Sequence, residues 1–223
     1  MGTKVKISKQ KMKEDKFTTT MLQWRDWILD NWQVLALVGA VVVLAVVGIV
    51  YYTGIRQTKG IEGSQKLAQA VDKMYRQNYQ LAIVELNEVV DNYSGHVAAL
   101  AQFHLGNAYY ESKNYDEAIN SFEKYISKYH EDKLKTASAI AGVAAALEGK
   151  QEFQGAAEKY LEAEQYYPGA PGASAYLLGA VRNFVNVDQK EMAREALDRL
   201  RETFPGSEQL RTAITLTARL GLN

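Results

Sequence analysis

At 223 residues, with 26 basic and 26 acidic side chains and 47% hydrophobic ones, the chain holds enough apolar material to fold and is not a disordered polymer. Its zero formal net charge gives no basic footprint for nucleic acid as a partner. With no cysteine, structural disulfides, thiolate metal sites, a cysteine nucleophile and a lipidated cysteine anchor are all excluded.

The first expected element, residues 1–16, is a basic, disordered cytoplasmic arm, in which Lys4, Lys6, Lys9, Lys11, Lys13 and Lys16 face only Glu14 and Asp15. In residues 17–33, Phe17, Met21, Trp24, Ile28 and Trp32 recur at helical spacing, with Arg25, Asp26 and Asp30 between them. All three tryptophans, Trp24, Trp27 and Trp32, fall in this segment. Tryptophan favours the headgroup level, so the segment reads as a short amphipathic helix on the cytoplasmic leaflet.

Residues 34–55 form the expected transmembrane helix. Val34 to Ile55 contains no acid, base or histidine, and its only ionisable side chains are the interfacial Tyr51 and Tyr52. At about 1.5 Å per residue it is roughly 33 Å long, enough for a hydrocarbon core of ~30 Å with every backbone group satisfied inside the helix. A buried core helix of this length would carry polar residues where its face meets water. A cleavable signal would have a shorter apolar run and a small-residue cleavage site where this chain has Tyr51-Tyr52-Thr53. Seven Lys/Arg lie ahead of the span, against Arg56, Lys59 and Lys66 just after it. The positive-inside rule therefore predicts a cytoplasmic N-terminus and an exported C-terminal domain.

A linker is expected at 56–61 and a repeat domain at 62–223. Four segments align on an alanine, Ala82, Ala118, Ala156 and Ala193, at spacings of 36, 38 and 37 residues. Four positions on stand Leu86, Phe122, Tyr160 and Leu197; seven on stand Val89, Tyr125, Ala163 and Leu200; eleven on stand Tyr93, Tyr129, Tyr167 and Phe204. The pattern is that of a helical hairpin: a small residue admits close packing, and the apolar positions that follow keep one stripe buried. Partner helices are predicted upstream, at about 62–76, 98–111, 135–148 and 173–186. Asn114 with Glu117 and Asp188 with Glu191 have the spacing of capping boxes. A last helix, Glu208 to Leu220, follows the Pro205-Gly206-Ser207 break and closes the stack.

Leu105-Gly106, Tyr109, Ala118 and Phe122 resemble the tetratricopeptide repeat pattern, departing from it at Gln102 and Tyr125. Ala144, Leu147, Ala156, Tyr160, Ala163 and Pro168 repeat it, and the first and last hairpins are degenerate versions. The resemblance covers roughly residues 62–220 and implies an all-α solenoid of about four hairpins plus a capping helix. The whole architecture, a Lys-rich tail, one anchor and slightly long repeats ending in Tyr-Pro or Phe-Pro, resembles the membrane-anchored ancillary subunits of the SecYEG translocon. That likeness implies a non-catalytic periplasmic adaptor on the inner membrane, linking the translocon to exported clients or periplasmic chaperones. The alternative is a scaffold of envelope assembly, cell-division or secretion machinery.

No catalytic constellation stands out. His96, His104 and His130 form no metal-binding pair and read as surface or cap residues, and there is no Gly-rich phosphate loop and no Gly-x-Ser-x-Gly. Neither a cofactor nor a small-molecule substrate is expected. Gly106, Gly142 and Gly179 are placed where helices approach closely, and Glu158, Glu162 and Glu164 on solvated faces. The repeat resemblance implies a protein-binding groove along the first helix of each hairpin. Leu100, Phe103, Asn107, Tyr110 and Glu111 would line it in the second repeat, Ala141 and Ala145 in the third, Leu178 and Arg182 in the fourth. Phe103 and Tyr110 are the aromatic candidates for contact.

Overall fold

The computed structural model describes residues 9–130, 132–218 and 221, with side chains from residue 18 onward except 55–57. Among the described residues there are ten helices and no strand: α1 (Lys9–Asp30), α2 (Trp32–Tyr75), α3 (Tyr79–Asn92), α4 (His96–Glu111), α5 (Tyr115–Lys128), α6 (Lys133–Gly149), α7 (Phe153–Tyr166), α8 (Ala173–Asn186), α9 (Lys190–Thr203) and α10 (Glu208–Ala218). The chain divides into two units, Met1–Thr58 and Lys59–Asn223.

In the first unit the arm differs from expectation. Residues 9–16 already belong to α1, because Lys, Gln, Met and Glu are good helix formers and no Gly or Pro interrupts them; residues 1–8 lie outside the described residues. Trp24, Trp27 and Trp32 are exposed, as are Leu22 and Leu29, which stand off the single stripe read from the sequence. α2 is long and apolar enough to cross a membrane, and none of its apolar stretch is buried. Tyr51 and Tyr52 are likewise exposed. The linker expected at 56–61 is helical and lies within α2. Only Gly60 weakens the helix there, by about 1 kcal/mol, and no proline stops it.

The second unit stacks hairpins. The end of α2 shares a buried cluster with α3 through Leu67, Ala70, Ile83 and Leu86, and Lys73 pairs with Glu85 across the two. Then come α4 with α5, α6 with α7 and α8 with α9, each helix packing on the next, and α10 packs on α8 and α9. The second helix of each hairpin, here the B helix, explains the repeat columns. Ala82, Ala118, Ala156 and Ala193 have no exposed surface, so the backbones can approach. Leu86, Phe122, Tyr160 and Leu197, then Val89, Tyr125, Ala163 and Leu200, are all buried further along the same face. Tyr93, Tyr129, Tyr167 and Phe204 are the C-cap residues of the four B helices, each N–H bonded to the carbonyl four residues back. Gln102, where the repeat pattern has tryptophan, is buried and donates from Nε2 to the Ser121 carbonyl at 3.0 Å.

The turns between the two helices of a hairpin repeat one backbone device. Gln77, Lys113, Gln151 and Asp188 are left-handed, with φ of 60°, 63°, 65° and 55°. In each case the left-handed N–H bonds the carbonyl three residues back, and the next N–H reaches five back, as in Lys113 to Tyr110 and Asn114 to Tyr109, both 2.9 Å. This Schellman closure satisfies the last carbonyls of the first helix.

The same device displaces the expected capping boxes. Asn114 is the N-cap of α5, but its side chain donates to Ser112 Oγ and caps nothing. Asp188 is the left-handed residue, and Gln189 occupies the N-cap of α9 without a side-chain bond. Side-chain caps occur instead at Asp132, which accepts from the Lys135 N–H at 3.1 Å, and at Ser207, which accepts from the Leu210 N–H at 3.2 Å. α10 therefore starts where the sequence break predicts; Arg219 and Leu220 lie outside the described residues.

Candidate protein-binding face

The first helices of the hairpins, here the A helices, lie side by side. Phe122 of α5 fills the space between α4 and α6: a Cβ added at Gly106 or at Gly142 would come within 2.6 Å of its ring. At Gly179 of α8 a Cβ would come within 2.8 Å of Tyr160. Between α6 and α8 the Ser138 hydroxyl is 3.4 Å from the Tyr176 hydroxyl. The three glycines are therefore close-contact positions, as expected.

The inner positions of the A helices differ in how open they are. Tyr110 is exposed at 36% and stacks at a tilt on Tyr115, with ring centroids 5.9 Å apart. Glu111 is exposed, and Leu100, Asn107, Ala145, Leu178 and Arg182 are half-buried. Ala141 is buried in the core formed by α6 to α10. Phe103 is half-buried and meets Phe122 and Tyr125 edge-on, at 5.9 and 5.6 Å. It packs against a core cluster drawn from α5 and α6, and Tyr110 is the more exposed of the two aromatics.

One polar cluster spans these helices. Arg182 of α8 donates from Nε and Nη2 to the two carboxylate oxygens of Glu148 of α6, at 2.7 and 2.8 Å, and the Tyr160 hydroxyl donates to the same carboxylate at 3.2 Å. Burial disfavours the charged form of Glu148. The Arg182 hydrogen bonds and charge outweigh it, so the carboxyl titrates below the usual glutamate range. Burial pushes Tyr160 and Tyr110 up, helped by the Glu148 charge. Glu148 escaped the sequence reading, although it stands in the column of Tyr110 one repeat later.

Two other readings change. Glu164 does not lie on a solvated face: it is 1% exposed and pairs with Arg199 of α9 at 2.7 Å. His104 is neither surface nor cap. It is half-buried beside Phe103, and burial, then the Lys135 charge, holds its imidazole below the ordinary range. Among the described residues no group of three or more His, Asp or Glu could hold a metal ion.

The family model of the tetratricopeptide repeat-like domain matches residues 25–199. The chain belongs to this family. Similar solved structures include MamA from AMB-1, at 15% identity over 72% of this chain and 84% of that one with a TM-score of 0.53. The apo form of RapI is similar at 15% identity over 71% of this chain, with a TM-score of 0.60; this chain covers 62% of it, under two thirds of its length. A Podosopora anserina protein of nearly identical TPR-like repeats aligns at 15% identity over 70% and 83% of the two chains, with a TM-score of 0.56. These likenesses establish the fold alone. No curated protein sequence matches the chain. The tetratricopeptide repeat-like fold is one suited to a non-catalytic protein-binding role.

Proposed function

We propose that this chain is a non-catalytic adaptor tethered to the bacterial inner membrane, with its N-terminus in the cytoplasm and its repeat domain in the periplasm. It binds proteins along its A helices and links the Sec translocon to exported clients or periplasmic chaperones. The observation that carries the binding role is the row of half-buried and exposed side chains along the A helices, Leu100, Asn107, Tyr110, Ala145, Leu178 and Arg182. The placement rests on the wholly exposed apolar stretch of α2 and the excess of Lys/Arg ahead of it. The translocon link rests on the architectural resemblance of tail, anchor and long repeats.

Photo-crosslinking groups at Asn107 and Tyr110, followed by mass spectrometry, test the role. Recovery of translocon subunits and exported clients supports it. Recovery of cell-wall or outer-membrane machinery alone replaces it with an envelope scaffold. A reporter that works only after export, fused behind Asn223, tests the topology, and activity confined to the cytoplasm would refute it.

A further inference from the structure

The repeat resemblance assigns five positions of each A helix to the inner face, aligned with Leu100, Phe103, Asn107, Tyr110 and Glu111. Across the four repeats only Glu111, Glu148 and Arg182 among them are charged. Glu148 and Arg182 cancel through a two-point ion pair that uses both carboxylate oxygens, and no ion partner of Glu111 occurs among the described residues. The face thus carries about one net negative charge, and its guanidinium is already neutralised. Among the described residues the Nη1 donors of Arg182 meet no hydrogen-bond partner, and 40% of its side chain remains exposed. A donor whose charge is cancelled suits a neutral acceptor such as a main-chain carbonyl. A carboxylate would have to displace Glu148 and meet the field of Glu111 as well. Beside this polar end the floor is made of small or apolar side chains, Ala141, Ala145 and Leu178.

We infer that the face takes an uncharged, apolar stretch of unfolded polypeptide, held through its main-chain carbonyls, and that it disfavours a free C-terminal carboxylate or acidic side chains. The inference rests on the protein-binding reading above and names the chemistry of the partner.

The full chain in lipid nanodiscs, corrected for binding to empty nanodiscs, is titrated with three short fluorescent peptides. One is a Leu/Ser/Gly peptide blocked at both ends, one is the same peptide with a free C-terminal carboxylate, and one carries two Asp. The blocked peptide is expected to bind with an affinity that changes less than about twofold between about 0.05 and 0.5 M NaCl. The two anionic peptides bind about threefold more weakly or worse, and Glu111→Gln narrows the gap between them and the blocked peptide. Equal or tighter binding of the carboxylate peptide, or a steep loss with salt, overturns the inference and leaves the adaptor reading standing. Failure of all three peptides to bind overturns both.

Discussion

The junction between the second and third repeats and the junction between the third and fourth are built on the same columns and held by different physics. At the first, Phe122 sits between Gly106 and Gly142, and Ile126 on the same helix packs partly buried against the core. At the second, the equivalent of Phe122 is Tyr160, whose hydroxyl joins Glu148 and Arg182. The equivalent of Ile126 is Glu164, buried and paired with Arg199. One junction fits a ring between two glycines, and the other keeps a ring against one glycine and threads two ion pairs through the contact. A repeat fold constrains volume at these columns more strictly than it constrains polarity.

The largest test of that contrast removes the ring. Phe122→Ala is expected to cost about 3–5 kcal/mol, because neither glycine side can refill the space; a urea midpoint series on the full chain measures it. Next, Arg199→Ala strands the Glu164 carboxylate at 1% exposure and should cost about 3 kcal/mol, the low end for a broken buried pair, since Arg199 itself borders solvent. Glu164→Ile, which copies Ile126, should stay within about 1 kcal/mol of the parent because Arg199 can turn to water. If Glu164→Ile proves as damaging as Arg199→Ala, the second junction depends on charge and not on volume.

Exchanging hydroxyls sharpens the comparison at smaller scale. Phe122→Tyr buries a hydroxyl with no partner and should cost about 1–3 kcal/mol, whereas Tyr160→Phe loses one hydrogen bond worth about 1 kcal/mol. The two junctions should also titrate apart. His104, beside Lys135 in the first, has a depressed pKa, so folding favours its neutral form while the unfolded chain takes up a proton. Its contribution is full above the ordinary histidine value, about 6.5, and is lost as pH falls through the lower folded value. Glu148, in the second junction, also has a depressed pKa. Its contribution is present above the ordinary glutamate value, about 4.3, and is lost only in stronger acid. Stability measured from pH 7 to 5 should therefore fall in the parent and fall less in His104→Gln, with Glu148→Gln leaving that window unchanged.

Local repetition made much of this legible in the sequence. The A helices, the buried alanine column, the glycine contacts and the start of α10 follow from apolar periodicity and from break residues, which act over a few turns. What escaped depends on partners far along the chain. Glu164 looks solvated until Arg199, 35 residues later, closes over it. The two-point pair of Glu148 with Arg182 and the edge-on contacts of Phe103 with the rings of α5 likewise join residues that the sequence separates. The capping boxes failed for a local reason that a spacing rule does not see. The left-handed residue before each B helix already sets the chain direction, so the polar side chain that follows is not aimed at the first-turn N–H groups.

That left-handed residue offers the smallest test, and it places the two junctions on one scale. A side chain in this conformation costs about 1–2 kcal/mol, while glycine loses about 0.5–1 kcal/mol more backbone entropy on folding. Lys113→Gly and Gln151→Gly should each therefore stabilise the domain by about 0.5–1 kcal/mol, read as a rise in urea midpoint with unchanged slope. Asp188→Gly should gain less, because aspartate tolerates the left-handed region through its short polar side chain. The residue that looked like a helix cap in the sequence is thus one whose backbone conformation suits it without capping. If Asp188→Gly gained most and Lys113→Gly least, the turns would not be equivalent, and the repeat could not be treated as one backbone device used four times.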